Sequence, residues 1–247
     1  SSDSQKIESY KKVRIIGESQ VGLSCARNTG VLNSRTNIIA FLDDDVTVSE
    51  FWAENIVYGH DKHNVLCVGG PVLIEEPENK KYPAWFSDYF LRFILPPRFP
   101  KESGIIHSPY YLIGANISFK KETFEKFGLF DQNLGRKGTN LLSNEDIEFL
   151  TRIPQNLIWF ESGAAVSEKI LERRLTRKFM VHRLFWQGIS DYIMVEKRGA
   201  DNFYDRKEVN FTSYFLKKLI SSIRNICIFE AFCMCVRLFG YKYGYSY

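Results

Sequence analysis

Apolar and polar positions change their spacing several times along the chain, and each change marks a different element. Residues 37–42 (Asn-Ile-Ile-Ala-Phe-Leu) form a continuous apolar run, the pattern of a strand buried on both faces. Before it, residues 12–16 predict a short strand and residues 22–34 a helix rich in small side chains. After it, Ser49 is placed to cap a helix reaching Tyr58, and residues 65–74 predict another strand. This β-α-β-α-β alternation points to the α/β class, with a mostly parallel central sheet flanked by helices.

Residues 75–111 break the rhythm. Six prolines, from Pro77 to Pro109, punctuate a long, partly helical loop region of the size that compact domains keep for function. Order returns with a strand over 114–119 and a helix over 121–127 closed by Gly128. Ser143-Asn144-Glu145-Asp146 then opens a helix that stops before Pro154, and strands follow over 157–160 and 164–170. Beyond Arg173 the spacing is helical, over 174–197 and again over 211–239, where Phe215, Leu219, Ile223, Ile226 and Phe229 share a face. A boundary near Asp201 divides a body, residues 1–200, from a helical tail, residues 201–247.

Composition narrows the classes. Of 247 residues, 45% are apolar and 25% charged, which is globular and excludes disorder. A net charge of +4 is too mild to indicate nucleic acid as a partner. The five cysteines are an odd number in apolar contexts and form no Cys-x-x-Cys pair, which indicates neither a disulfide framework nor a zinc site. That usage suits a reduced, cytoplasmic protein. The most apolar stretch, residues 226–239, is short and carries Glu230 and Arg237, so it does not read as a membrane span.

Asp43-Asp44-Asp45 is the strongest chemical signal. Three adjacent carboxylates repel one another, and they follow a strand end, where open α/β sheets bind ligands. A divalent cation bridging one or two of them to a diphosphate would relieve the repulsion; a solvated turn is the plainer alternative. Asp146 has the Ser-x-x-Asp spacing of a helix cap, and the functional alternative is a general base taking a proton from a hydroxyl. Arg27 and Asn28 read either as a surface arginine and a helix-ending asparagine or as contacts to a nucleotide. The basic residues Arg173, Arg174, Arg177 and Lys178 suit a solvated helix face or a phosphate. His60, His63, His107 and His182 share no metal-ligand spacing, with His60 and His63 expected exposed at a helix end. No nucleophile elbow, Walker loop or dinucleotide fingerprint occurs.

The order of the motifs carries a resemblance. Gly22-Leu23-Ser24-Cys25-Ala26-Arg27-Asn28-Thr29-Gly30, followed by Ile39-Ala40-Phe41-Leu42-Asp43-Asp44-Asp45, resembles the family 2 glycosyltransferases of GT-A fold. Gly114-Ala115-Asn116-Ile117-Ser118-Phe119, Gly128-Leu129-Phe130-Asp131, Asn144-Glu145-Asp146 and Arg183-Leu184-Phe185-Trp186-Gln187-Gly188 are similar to that family's later motifs, in the same order. The resemblance covers roughly residues 1–195. Ser1-Ser2-Asp3 resembles the segment after the family's first strand, helix and second strand, so a chain lacking those elements is expected. Val166-Ser167-Glu168 stands where many relatives carry Val-x-His, which puts Glu168 at a metal-ligand position.

What the resemblance implies is an inverting glycosyltransferase that moves a sugar from a nucleotide-sugar donor to a hydroxyl of a glycan or lipid-linked acceptor. Asp45 and Asp43, with Glu168, would hold Mn²⁺ or Mg²⁺; Arg27, Asn28, Asp43 and Asp44 would face the donor. Asp146 would be the catalytic base, with Glu145, Asn116 and Trp85 on the acceptor side. The implied setting is polysaccharide or cell-envelope synthesis at the cytoplasmic face of the inner membrane, with peripheral membrane contact. The rival from another class is a non-catalytic module of the same fold that binds a glycan or a partner protein. A metal-dependent nucleotidyltransferase would need a basic, Gly-rich phosphate loop near the start, and none is found.

Overall fold

The computed structural model describes residues 13–75, 82–107, 110–198 and 228–244. Helix α1 (Leu23–Asn33) leads into strand β1 (Ile38–Leu42), and the Asp43-Asp44-Asp45 turn carries the chain into β2 (Val46–Val48). Helix α2 (Trp52–His63) precedes β3 (Cys67–Gly69) and β4 (Val72–Ile74). The Pro-rich region holds the short helix α3 (Asp88–Leu91) and β5 (Gly104–Ile105); then come β6 (Asn116–Lys120) and α4 (Lys121–Phe127). Helix α5 (Glu145–Leu150), strands β7 (Ile158–Phe160) and β8 (Val166–Glu168), and the long helices α6 (Arg177–Arg198) and α7 (Ile228–Tyr243) follow.

These strands build two sheets, one of order β1-β6-β3-β7-β5 and a smaller one of order β2-β8-β4. The α/β class stands, but the central sheet is mixed rather than mostly parallel. β6 enters between β1 and β3 and runs antiparallel to both, β5 runs antiparallel to β7, and within that sheet only β3 and β7 pair in parallel. The cause is the long excursion between β4 and β6, which returns the chain from the opposite end. Tight crossover helices would have kept the strands parallel.

Other expectations give way for local reasons. Residues 13–16 form no strand and lie exposed, and Lys12 lies outside the described residues. β1 is an edge strand, with Ala40 and Leu42 exposed, instead of one buried on both faces. A groove of about 470 Å³ runs beside it, lined by Arg27, Gly30, Thr36, Ile38 and Phe41. The strand expected over 65–74 breaks at Gly70-Pro71 into β3 and β4, which belong to different sheets. Ser49 is not the cap: α2 begins after Phe51 and runs past Tyr58 to His63. Most of the expected tail helix, residues 211–227, lies outside the described residues.

The core lies between the larger sheet and α1, α4 and α5. Phe119, Phe124, Phe130 and Phe149 meet there, with Phe130 and Phe149 ring centroids 4.8 Å apart and Phe119 edge-on to Phe149 at 5.2 Å. At the far end α7 lies across α6 at very close range. A Cβ on Gly188 would stand 2.0 Å from the Arg237 carbonyl oxygen, and one on Gly240 2.1 Å from that of Phe185. Glycine at both positions is what lets the two backbones touch. The outward side of α7 leaves Phe232, Phe239 and Tyr243 exposed. Among the described residues no helix is long and apolar enough to cross a membrane.

His60 is buried, contrary to its expected exposure. Its Nε2 lies 3.0 Å from Ser118 Oγ and its Nδ1 3.3 Å from the Val65 carbonyl oxygen. Burial holds its pKa down to about 4, from 6.5, against the pull of that carbonyl. The unfolded chain therefore takes a proton that the folded chain refuses. The stability this supplies is fully present above about pH 6.5 and is lost as pH falls toward 4. Urea unfolding at about pH 7.5 and about pH 4.5 should show a loss of about 2 to 3 kcal/mol from this group, absent in His60→Gln. An identical pH dependence in the variant would assign the acid sensitivity elsewhere.

Candidate active site

Arg27 organises the region beyond β1. It lies on the inner face of α1, only 8% exposed, where Nη1 donates to Glu145 Oε1 at 2.7 Å and Nη2 stands 3.5 Å from Asp43 Oδ1. The rings of Phe41 and Phe130 flank the guanidinium at 5.9 and 5.8 Å, which favours a cation there. Gly114 covers it, since a Cβ at that position would lie 2.4 Å from Nη2. Beside it, Asn28 closes a ring with the backbone of Phe130, donating from Nδ2 to its carbonyl and accepting its N–H, both at 2.9 Å.

The carboxylates converge around this hub. Asp43 keeps 42% of its side chain exposed, while Asp45 reaches across to Arg174 Nη2 at 3.6 Å. Glu168 ends β8 beside them, paired in register with Val46. Burial raises the Asp43 carboxyl, Arg27 pulls it down, and Asp45 and Asp146 push it up again. Glu168 is likewise raised by burial, drawn down by Arg174, and raised by Asp45 and Asp43. These groups share one field, yet Asp43 leans toward Arg27 and Asp45 toward Arg174. Among the described residues no three His, Cys, Asp or Glu side chains come close enough to hold a metal ion by themselves. Asp43, Asp45 and Glu168 are thus neighbours in charge and not a preformed cage.

Asp146 is held differently from a helix cap. The residue before α5 is Asn144, in the left-handed region at φ 73, and Ser143 does not cap the helix. Asp146 Oδ2 accepts the Gly114 N–H at 2.6 Å and Oδ1 the Ile147 N–H at 2.8 Å. The side chain is thereby turned across the chain toward the loop before β6, on the side of Asp43. Glu145, next to it, is buried against Arg27. Burial and Asp146 push its carboxyl up, and Arg27 opposes them.

The structure thus brings Arg27, Asp43, Asp45, Glu145, Asp146 and Glu168 together, with Asp44 exposed in the turn between β1 and β2. It does not bring Asn116 or Trp85 to this face. Asn116 is wholly buried, accepting from Trp52 Nε1 at 2.9 Å and donating to the carbonyls of Ala164 and Pro71 at 2.8 and 3.2 Å. Trp85 packs in an aromatic cluster with Phe86, Phe90 and Phe229, under the guanidinium of Arg177 at 5.6 Å. Glu145 faces inward, against Arg27. On this face the sequence reading omits Arg136, which lies in the Gly-rich turn and acts electrostatically on Asp43 and Glu168. Its signal was a basic pair, Arg136-Lys137, set between glycines.

Residues 2–128 match the family described as Glycosyl transferase family 2, slightly more than half of the chain. The chain belongs to glycosyl transferase family 2. It is therefore a glycosyltransferase, and its relatives agree. A glucosyl-dolichyl phosphate glucuronosyltransferase of Haloferax volcanii is 27% identical over 244 residues, covering 90% of this chain and 74% of the relative. The uncharacterized glycosyltransferase EpsJ of Bacillus subtilis is 25% identical over 167 residues, covering 66% of this chain and 44% of that protein. Among solved structures, GalNAc-T7 with UDP, GalNAc and Mn²⁺ superposes with a TM-score of 0.50 at 18% identity, over 83% of this chain and 42% of that one. That likeness is one of fold, and it is the GT-A fold.

In this glycosyltransferase the Arg27–Glu145 pair is a buried ion pair, so removing one partner strands the other. Arg27→Met should cost about 3 to 5 kcal/mol of stability, and adding Glu145→Gln should return a good part of it. Urea unfolding of the two variants tests this. A double variant no more stable than Arg27→Met alone would mean that the loss comes from packing against Phe41 and Phe130.

Proposed function

We propose that this family 2 enzyme transfers a sugar from a nucleoside-diphosphate donor to a hydroxyl of a glycan or lipid-linked glycan, in one displacement that inverts the anomeric centre. The observation that carries this reading is Asp146, fixed by the N–H groups of Gly114 and Ile147 and within the field of Asp43. A carboxylate pinned there is oriented to take a proton. The acceptor O–H would give its proton to Asp146 as its oxygen bonds to the anomeric carbon, and the bond to the diphosphate would break with its electron pair on phosphate. The transition state has oxocarbenium character, which nearby carboxylates favour.

Mn²⁺ or Mg²⁺ fits the donor set by its chemistry. Asp45 and Asp43 offer hard oxygen ligands, Glu168 adds a third carboxylate to the same field, and burial has raised two of these groups toward protonation. With no three of them converging, one or two carboxylates would hold the ion, and diphosphate and water would fill the remaining positions. When bound, such an ion neutralises charge on the leaving diphosphate. The chain's own share of that work falls to Arg136 and Arg174, both of which act electrostatically on Glu168. Arg27 would serve the donor indirectly, by orienting Asp43. Lipid-linked acceptors are supported by the Haloferax volcanii relative, a glucosyl-dolichyl phosphate glucuronosyltransferase. The exposed Phe232, Phe239 and Tyr243 of α7 favour contact with a lipid surface bearing one.

Two substitutions separate binding from chemistry. Asp45→Ala should weaken Mn²⁺-dependent binding of UDP by about tenfold or more, read by calorimetry, with the fold intact because the side chain is exposed. Unchanged affinity would remove Asp45 from the metal site. Asp146→Asn should keep UDP affinity and lower turnover of UDP-sugars by about 10²- to 10⁴-fold. A variant with near-normal turnover would return Asp146 to a structural role and place the proton acceptor elsewhere.

A further inference from the structure

Asp146 takes its place from a two-residue turn, and that turn is gripped from α6. Asn144 makes no capping bond to its own helix. Its Nδ2 instead donates to Asp191 Oδ1 at 3.4 Å, and its Oδ1 accepts from Gln187 Nε2 at 3.2 Å. Gln187 Nε2 also donates to Asp191 Oδ1 at 2.8 Å, while its Oε1 accepts from Ser143 Oγ at 3.1 Å. The Ser143 N–H donates to Ser190 Oγ at 3.0 Å. Asp191, at 0% exposure, is the anchor of this set, and its other oxygen faces α7. There Arg237 donates to Oδ2 from Nε at 2.9 Å and from Nη2 at 2.5 Å.

Resting on the reading of Asp146 as the base, we propose that Arg237 is a positioning residue for it: by pairing with Asp191 it fixes Asn144, and through Asn144 the carboxylate two residues on. Burying a carboxylate as deeply as Asp191 is costly unless a cation and hydrogen bonds surround it. Without Arg237 it turns away or draws in water. Each of these outcomes weakens the acceptor that Asn144 and Gln187 share. A left-handed, non-glycine residue needs such outside support to hold its conformation. The Gly188–Gly240 crossing is what brings α7 near enough for Arg237 to reach. A guanidinium needed only to join two helices could be replaced by apolar packing. This one ends on the carboxylate that holds the catalytic turn.

The test uses the full chain with Arg237→Gln, Arg237→Lys, Asn144→Gly and Asp146→Asn. Residue-resolved hydrogen exchange at Gly114, whose N–H rests on Asp146, reads the positioning directly. In Arg237→Gln and Asn144→Gly that amide should exchange about tenfold faster or more, with Val68 and Phe119 in the central sheet unchanged. UDP release from UDP-glucose, UDP-N-acetylglucosamine or UDP-glucuronate, counted per UDP-binding chain, should fall about tenfold with the UDP dissociation constant within about twofold. Arg237→Lys, which keeps the charge but not the fork, should regain only part of both losses. Asn144→Gly keeps the left-handed backbone and removes the amide, so it serves if Arg237→Gln does not fold.

Exchange at Gly114 within about twofold of the parent overturns the proposal, as does an acceleration shared equally by Val68 and Phe119. So does UDP release that is fast in Arg237→Gln yet slow in Asp146→Asn. If Asp146→Asn itself releases UDP at the parent rate, the general-base reading falls. The exchange result then still decides whether Arg237 positions the turn.

Discussion

A buried arginine cannot shed its charge, and this fold is arranged around that constraint. Arg27 sits in the interior, so carboxylates must come to it, and the two that do are 16 and 118 residues away along the chain. Meeting them forces the end of β1, the start of α5 and the inner face of α1 to one place. The flanking Phe41 and Phe130 rings and the bare backbone of Gly114 follow from the shape of a guanidinium that must be enclosed. The charged face is therefore a consequence of core packing as much as of chemistry.

The same constraint explains why the acidic groups do not form a cage. Asp43 is drawn toward α1 by Arg27, and Asp45 the other way by Arg174. Their repulsion is relieved by separate cations instead of a shared one. What remains is a partly buried acidic field in which Asp43 and Glu168 hold protons more readily than free carboxyls do. A divalent ion arriving with a diphosphate would find ligands that must reorient slightly and give up that tendency. In the proposed reaction donor and metal would then favour each other, since neither alone would complete the coordination shell.

Elements fixed by neighbours in the chain were legible in the sequence, and those fixed by distant contacts were not. The helix Lys121–Phe127 with Gly128 at φ 79 was readable to the residue, because its start, length and stop are local. The run over 65–74 reads as one strand because nothing in its apolar pattern tells one long strand from two short ones in different sheets. The acidic turn and Asp146 were legible as candidates. Asn116 and Trp85 look equally polar or aromatic in sequence, but burial decides their roles: one ties loops to β6, the other fills a cluster against α7. Asp191 and Arg237 gave no signal, since each meets its partner 46 or 47 residues away.

Helix α5 has six residues, too few to hold a conformation by its own hydrogen bonds. Its position must be borrowed from both ends. At the far end Arg152 bonds Glu148 and donates to the carbonyls of Phe127 and Leu129 at 3.0 and 2.8 Å, which ties α5 to the exit of α4. At the near end Asn144 ties it to α6, and through Asp191 to α7. Extending the helix back through Asn144 would replace its left-handed backbone by a helical one and change the approach of Asp146 to Gly114. Short helix, unusual turn and distant anchors are thus one solution. A carboxylate is held at a chosen point by backbone donors on one side and by buried polar contacts from α6 and α7 on the other.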